Sequence, residues 1–325
     1  MDLKRLAGRL KGGRANVEAP YAPTPEDVRK KMVGQALIDT LLQVSGPLTR
    51  PAGRKLEGLW LEALSHPSLS RTAGRFADTA LPRPLMKRLI DAWVQAYDVD
   101  MSVAEIPPDG FATLDAFFTR RLIAGCRPVD HDPDVLVSPA DSVLKSFGVI
   151  DARARIPEVK GRTYSVAELL AGDAVQGSEP NRFAATFVGG TYGVYYLSPR
   201  DYHRVHAPSS GLVRSVTPLA GASYPVNALG VRRVEGLFVR NKRTVFTFDS
   251  DDGVLALVMV GATNVGRITA SVSAGERVEK GQELGIFHLG STVVLLTPKA
   301  ANLAYLRVHE GELVRYGQAV LHRRS

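Results

Sequence analysis

From Asp134 to the C-terminus, the chain consists of short β-branched and aromatic runs separated by Gly, Pro, Asn and Asp. Runs such as TYGVYYLS, GLVRSV, RTVFTF and GVLALVMV have the length of strands, and turn-forming residues stand between them. This texture predicts a compact β domain.

The upstream residues follow a helical period instead. In Met32–Val44 and again in Leu85–Tyr97, apolar residues recur at intervals of three and four. Leu3–Lys11 is a shorter, basic version of the same pattern, and the Pro/Gly stretch Ile106–Gly110 marks a boundary. The sequence therefore predicts an α+β chain with two regions: an N-terminal helical region over 1–105 and a β-rich domain over 106–325.

Composition narrows the partners and the compartment. The formal charge of +8 leaves nucleic acid, anionic lipid or an acidic substrate as partners. No aromatic-interleaved basic stripe or zinc-finger spacing favours nucleic acid, so none is expected. Cys126 is the single cysteine, which excludes an intrachain disulfide framework. The longest apolar run, Gly253–Gly266, is shorter than the roughly 20 residues of a spanning helix, and no secretory h-region begins the chain, so we expect a cytoplasmic location.

One motif occurs twice. AGERVEKGQEL at 274–284 and EGELVRYGQAV at 310–320 share the pattern G-E-x-V-x-x-G-Q. The pattern is similar to the hairpins of lipoyl- and biotinyl-type barrel-sandwich domains, so we expect hairpins of that kind here. A carrier function would need an exposed lysine at a hairpin tip, and GSTVV stands between the repeats instead, so the likeness is one of fold only.

Two histidines follow a turn signal. Ser198 and Asp201 have the spacing of a capping box, which would place His203 and His206 on one face of a short helical turn. Two hydrogen-bonded structural histidines are the simplest interpretation. A metal site is not expected, because the pair lacks the i, i+4 spacing and intervening glutamate of a zincin helix.

Asp141 and Ser291 complete a set of residue types that could do nucleophilic chemistry. Asp141 lies in a P-A-D-S turn, and Ser291 follows Gly290 where a strand should continue without interruption. A carboxylate, an imidazole and a hydroxyl are the parts of a base-activated nucleophile, and the carbonyl nearest to Ser291 is that of Gly290. A turn aspartate and a β-bulge glycine are the alternatives, and only geometry can decide.

Several motifs resemble the phosphatidylserine decarboxylase family in order and spacing. They are FATLDAFFTRRL at 111–122, SPAD at 138–141, YLSPRDYHRVH at 196–206, FVRN at 238–241, VGAT at 260–263 and KGQELGIFHLGST at 280–292. The resemblance covers roughly residues 80 to 325 and leaves out about the first 60.

The resemblance implies a proenzyme that cuts itself between Gly290 and Ser291 and converts Ser291 into a pyruvoyl group, so that no separate cofactor is needed. It implies that Asp141, His206 and Ser291 form the self-cleavage triad and that His203 serves the decarboxylation, for which an imidazole with a pKa near neutrality is suited. Residues 106–325 would then be the catalytic domain. Phosphatidylserine is the expected substrate and phosphatidylethanolamine the product.

Three features depart from the family pattern. Ser142 follows the SPAD motif where glycine is common, His288 replaces another residue, and the stretch between VGAT and KGQ is short and lacks a tryptophan. They leave the details of the substrate-binding region undecided, but not the cleavage site. A free amino acid or another serine lipid is the alternative substrate, and a non-catalytic lipid-binding module is the alternative class.

The resemblance also implies an assembly, and the basic N-terminal pattern indicates a location. The two cleaved chains would form a heterodimer, with homodimerisation left open. The basic N-terminal helices would hold the protein on an anionic membrane surface as a peripheral protein of the cytoplasmic face, although such helices could instead simply pack on the β domain.

Overall fold

The computed structural model describes residues 77–324, apart from 158–162, 172–177, 225, 227–233, 263–266 and 289–290. The predicted helices at 3–11 and 32–44 lie outside the described residues. The described helices are α1 (Arg83–Tyr97), α2 (Leu114–Phe118), α3 (Val166–Ala171), α4 (Ser178–Ala185) and α5 (Leu237–Arg240), with a 3-10 turn at Lys299–Ala301.

The described strands form antiparallel sheets. In chain order they are β1 (Val135–Val137), β2 (Ser142–Val149), β3 (Arg155–Pro157), β4 (Thr163–Ser165), β5 (Thr191–Leu197), β6 (Arg204–His206), β7 (Gly211–Leu219), β8 (Arg243–Ser250), β9 (Gly253–Gly261), β10 (Arg267–Ala270), β11 (Arg277–Val278), β12 (Glu283–His288), β13 (Ser291–Leu296), β14 (Leu303–Tyr305), β15 (Leu313–Val314) and β16 (Ala319–Arg323).

One large sheet organises the β-rich region. Its order is β11-β7-β8-β9-β13-β5-β2-β15, and the smaller sheets are β1-β16-β14, β10-β12-β6 and β3-β4. The four strand runs quoted above become β5, β7, β8 and β9, which confirms the β-rich prediction and, with α1, the coarse α+β class. The described sheets are not closed, and the barrel-sandwich likeness stays a prediction.

The large sheet is buried on both faces. Along β13, Val293 and Leu295 enter a core shared with the two three-stranded sheets, whereas Val294 and Leu296 enter a second core beneath α3 and α5. Side chains alternate between the faces of a strand, so burial on both sides requires an unbroken apolar run. The run TVVLL is therefore typical of a central strand.

The repeated motif folds the same way twice, but not as a hairpin. Gly281 and Gly317, its second glycines, both have positive φ, at 84° and 83°. A side chain there would be strained, which explains glycine in both copies. However, β11 pairs with β7, while β12 pairs with β10 and β6. The predicted hairpin is wrong, because the turn sends its two strands into different sheets.

Helix α1 packs through one face against α2. Met86, Ile90 and Trp93 are buried on that face, in a cluster that also contains Phe117 and Phe118. The predicted helix over 85–97 is confirmed. The boundary at residue 106 stays a prediction, and this cluster joins residues on either side of it.

Candidate active site

The chain passes twice between the large sheet and the β10-β12-β6 sheet, once from β5 to β6 and once from β12 to β13. Strand β5 ends at Leu197, which lies opposite Ser291 at the start of β13, and on the other sheet Arg204 of β6 lies opposite Ile286 of β12. The turn at 198–203 therefore lies at the end of these sheets where β12 ends and β13 begins. The backbone N–H of Phe287 donates to the carbonyl of His203 at 3.0 Å, which fixes the His203 backbone beside the end of β12.

The turn at 198–203 is held by its own side chains. The N–H and Oγ of Ser198 both donate to the Asp201 carboxylate at 2.7 Å, and the Asp201 N–H returns a bond to the Ser198 carbonyl at 2.9 Å. This confirms the predicted serine–aspartate pairing, which closes a turn rather than a helix. Burial raises the pKa of Asp201, against the opposing effect of its bonds to Ser198.

His203 is fully buried in an apolar setting. Its Nδ1 lies 2.9 Å from the Asp201 carbonyl, which can only accept, so Nδ1 carries the proton. The ring packs 4.0 Å from the Phe118 ring, and Nε2 has no hydrogen-bond partner among the described residues. Burial, chiefly, lowers the pKa to about 3. This pKa lies well below the near-neutral value that suits a proton donor, and the resting imidazole is neutral with its Nε2 lone pair free.

His206 is also buried and held at both ring nitrogens. Nδ1 donates to the Gly281 carbonyl at 2.8 Å, and the Tyr202 hydroxyl donates to Nε2 at 3.3 Å. The ring stacks on Tyr316 with centroids 3.9 Å apart and planes 6° apart. Burial lowers the pKa of His206, so this imidazole is neutral as well.

Asp141 is buried nearby but does not bond to His206 in the structure. Its carboxylate accepts from Arg127 at 2.8 and 3.0 Å, from Arg315 at 3.2 Å and from the backbone N–H of Tyr316 at 2.9 Å. Tyr316 connects the two, because its N–H bonds to Asp141 while its ring stacks on His206. The predicted carboxylate–imidazole contact is replaced by this indirect one.

Ser291 opens β13 in the middle of the large sheet. Its backbone is in register with Leu197 of β5 on one side and Gly261 of β9 on the other. Gly290 lies outside the described residues. The uninterrupted strand expected from the sequence does not form, since β12 and β13 belong to different sheets. The structure thus places the His203 backbone beside the end of β12, and the roles of Asp141, His203, His206 and Ser291 stay predictions.

The sequence did not indicate the residues that surround these four. Arg127, Arg315 and Tyr316 approach Asp141 from distant parts of the chain, and nothing in their local sequence marks them. His288 was noticed only as a departure from the family pattern. Its Nδ1 lies 2.8 Å from Asp115 of α2, and its Nε2 lies 2.9 Å from the hydroxyl of Thr269.

The described residues do not form a metal site of three or more His, Cys, Asp or Glu side chains. What they offer instead is acid–base chemistry: two neutral imidazoles, shielded from water, lie on the turn at 198–203 and on β6, the strand that pairs with β12 ahead of Ser291. Such imidazoles can take a proton from a hydroxyl or hold one for a reacting carbon. This is the arrangement of an enzyme that uses its own residues for catalysis.

Comparison with known proteins identifies the family to which this chain belongs. The family model for phosphatidylserine decarboxylase matches residues 114–322. The chain is 41% identical to the phosphatidylserine decarboxylase proenzyme of Azotobacter vinelandii over 255 residues, covering 72% of this chain and 86% of that protein. It is 38% identical to the proenzyme of Bordetella pertussis, with 71% and 82% covered, and 36% identical to that of Brevibacillus brevis, with 82% and 98% covered. The chain belongs to the phosphatidylserine decarboxylase family.

Proposed function

We propose that this protein decarboxylates phosphatidylserine to phosphatidylethanolamine with release of CO₂, after cutting itself between Gly290 and Ser291. The observation that carries the proposal is the buried His203, whose Nε2 has no partner among the described residues and whose backbone carbonyl accepts from Phe287 near the end of β12. Family membership and the LGST motif support it.

Self-cleavage needs no reagent but water. The Ser291 oxygen adds to the Gly290 carbonyl, and the peptide bond becomes an ester with release of the Ser291 amine. Elimination then frees the Gly290 carboxylate and leaves a dehydroalanine, which water converts to a pyruvoyl group and ammonia. His206 is neutral and would be the base that takes the serine proton, with its Nε2 exchanging the Tyr202 hydroxyl for that of Ser291. Asp141 would act as a positioning residue through Tyr316.

The residues present fit a pyruvoyl group at position 291. The buried, unpaired Nε2 of His203 is a polar atom for which the described residues provide no partner, as expected beside a group that forms only on maturation. The pyruvoyl group supplies an electron sink for the pair released with CO₂. His203, neutral at rest, would take a proton at its free Nε2 from the ammonium group of the substrate and pass it to the α-carbon of the product, and Phe118 would keep water away from it.

The protein would work on an anionic membrane surface, as a peripheral protein of the cytoplasmic face. The described helices include none long and apolar enough to cross a bilayer. On α1, Leu85 is 51% exposed and stands among Arg83, Lys87 and Arg88. An exposed leucine among basic residues suits a lipid interface, and the basic N-terminal helices would add to it. The two cleaved chains would stay together as a heterodimer, with homodimerisation as a further possibility.

Intact-mass analysis beside a CO₂-release assay tests the proposal. We expect two chains, 1–290 and 291–325, the second blocked by a pyruvoyl group, and no cleavage or activity in Ser291→Ala. An uncut chain that is fully active would refute it. A panel of phosphatidylserine, free serine and other serine lipids distinguishes the alternative substrates, and lipid binding without CO₂ release would indicate a binding module.

A further inference from the structure

A cavity of about 210 Å³ lies against the turn at 198–203. Arg120 and Leu122, which follow α2, form one wall, and Arg200 and Tyr202 form the next. Leu313, 48% exposed, is part of the lining near solvent. The cavity therefore adjoins the turn that carries His203, and its lining residue Tyr202 bonds to His206.

Arg120 is the unusual residue of this lining. It is only 4% exposed, and its guanidinium donates to backbone carbonyls alone: to Arg200 at 3.0 Å, Asp201 at 3.4 Å and Phe117 at 3.5 Å. Its Nε has no partner among the described residues. An arginine stays charged in a protein, and a buried charge without an anionic partner is costly. Arg120 is thus a buried cation without a bonded carboxylate.

The other charged side chains that line the cavity do not provide an anionic partner for Arg120. Arg127 and Arg315 are already bonded to Asp141, and Asp201 directs its carboxylate to Ser198. Arg200 makes one long contact with Asp201, at 3.9 Å, and its side chain is 41% exposed. Two guanidiniums, one buried and one near solvent, therefore remain for an anion.

Exposed carboxylates of Asp98 and Asp100 also line the cavity. Because they are exposed, solvent screens their repulsion of an anion more than it screens the attraction of the buried Arg120. A cavity with both signs of charge suits a zwitterionic group better than a simple anion.

We infer that Arg120 and Arg200 bind the phosphodiester of a serine phospholipid headgroup, an assignment that rests on the proposed function. The partly exposed Leu313 would then lie towards the glycerol side of the lipid. Guanidinium and phosphate oxygens form short, charge-assisted bonds, and Arg120 retains unused donors for them.

Binding of glycerophosphoserine to the Ser291→Ala proenzyme, followed by calorimetry, tests this inference without any need for activity. We expect binding that Arg120→Gln weakens by about tenfold to a hundredfold and that Arg200→Gln weakens less, because a solvated charge contributes less. Arg214→Gln, which removes an exposed arginine paired with Asp249 elsewhere, should leave binding unchanged. Unchanged binding in both Arg120→Gln and Arg200→Gln would overturn the assignment.

Arg120→Gln could also disturb the turn that it supports, so thermal unfolding of each variant is measured beside binding. The exposed Arg200 keeps the test decisive, since its loss should weaken binding without lowering the unfolding temperature. Inorganic phosphate and free serine are the other probes. Phosphate that binds as tightly as glycerophosphoserine would make this a free-phosphate site, and serine that binds as tightly would assign it to the carboxylate; either result overturns the headgroup phosphodiester.

The two proposals fail differently. Suppose that the protein that retains Ser291 releases no CO₂ from phosphatidylserine, but the Ser291→Ala proenzyme still binds glycerophosphoserine through Arg120. Only the proposed reaction is then wrong. If the enzyme turns over phosphatidylserine and Arg120→Gln changes neither KM nor headgroup binding, only the cavity assignment is wrong.

Discussion

At the scale of single residues, the two histidines differ in what their second ring nitrogen meets. Nε2 of His206 is bonded to Tyr202, whereas that of His203 is free. The family resemblance assigns the cleavage base to His206, so we expect His206→Ala to accumulate as uncut proenzyme. His203→Ala should cut but turn over about 10² to 10⁴ times more slowly, as for a lost general acid. A gel for cleavage beside a CO₂ assay measures both, and the reverse pattern would exchange the two roles.

The buried His203 also predicts how stability depends on pH. Its folded pKa, about 3, lies below the ordinary 6.5, so between these values the unfolded chain binds the extra proton. Stability should fall as pH falls from about 6.5, by roughly 1.4 kcal/mol for each pKa unit at most. In a Ser291→Ala background, urea unfolding of His203→Gln should show a flatter acid limb than its parent. His131→Gln, which alters an exposed histidine, serves as control, and equal slopes in all three would contradict the prediction.

Tyr316 offers a test of the indirect contact between Asp141 and His206. Tyr316→Phe keeps the backbone N–H and the stacked ring, so cleavage should proceed normally. Tyr316→Ala keeps the N–H but removes the ring on which His206 stacks, and cleavage should slow severalfold. A time course of cleavage measures both. Slow cleavage in Tyr316→Phe would mean that the hydroxyl, not the ring, is required.

At the scale of elements, α2 is tied to the end of β12 by Asp115 and His288, two residues ahead of Gly290. Asp115→Asn weakens this tie, and we expect self-cleavage to slow severalfold because the junction is held less firmly. Asp109→Asn, at an exposed carboxylate paired with Arg83, is the matched control. Pulse-labelled protein followed on a gel gives the rates, and identical rates would show that the Asp115–His288 pair does not position the junction.

The sequence predicted elements better than contacts. Strand runs such as GVLALVMV and the period of Leu85–Tyr97 are local signals, and the structure confirms them. The failed hairpin and the missing Asp141–His206 bond have another cause. Which strand pairs with β11, and which arginines reach Asp141, depend on residues up to 174 positions apart. A local pattern holds no information about such partners.

At the scale of the whole molecule, membrane binding should be electrostatic in part. With a formal charge of +8 and a basic N-terminal segment in the sequence, the protein should float with anionic vesicles at low salt. Binding should weaken as salt rises, because screening shortens the reach of Lys and Arg. Neutral vesicles are the control. Binding that ignores salt would indicate apolar insertion alone, and no binding would favour a soluble substrate.

The cut proposed here would leave β13 at the start of a short chain that runs through the middle of the large sheet, bonded to β5 on one side and β9 on the other. Neither chain could then complete its hydrophobic core without the other, so the short chain stays bound through its strand pairing and packing. Folding has to come first and scission second, and the order cannot be reversed. A mature molecule that unfolds would release two separate chains that must associate again by diffusion, whereas the uncut precursor can refold as a single chain. Maturation would thus make unfolding effectively irreversible, so that the mature enzyme persists only as long as it stays folded.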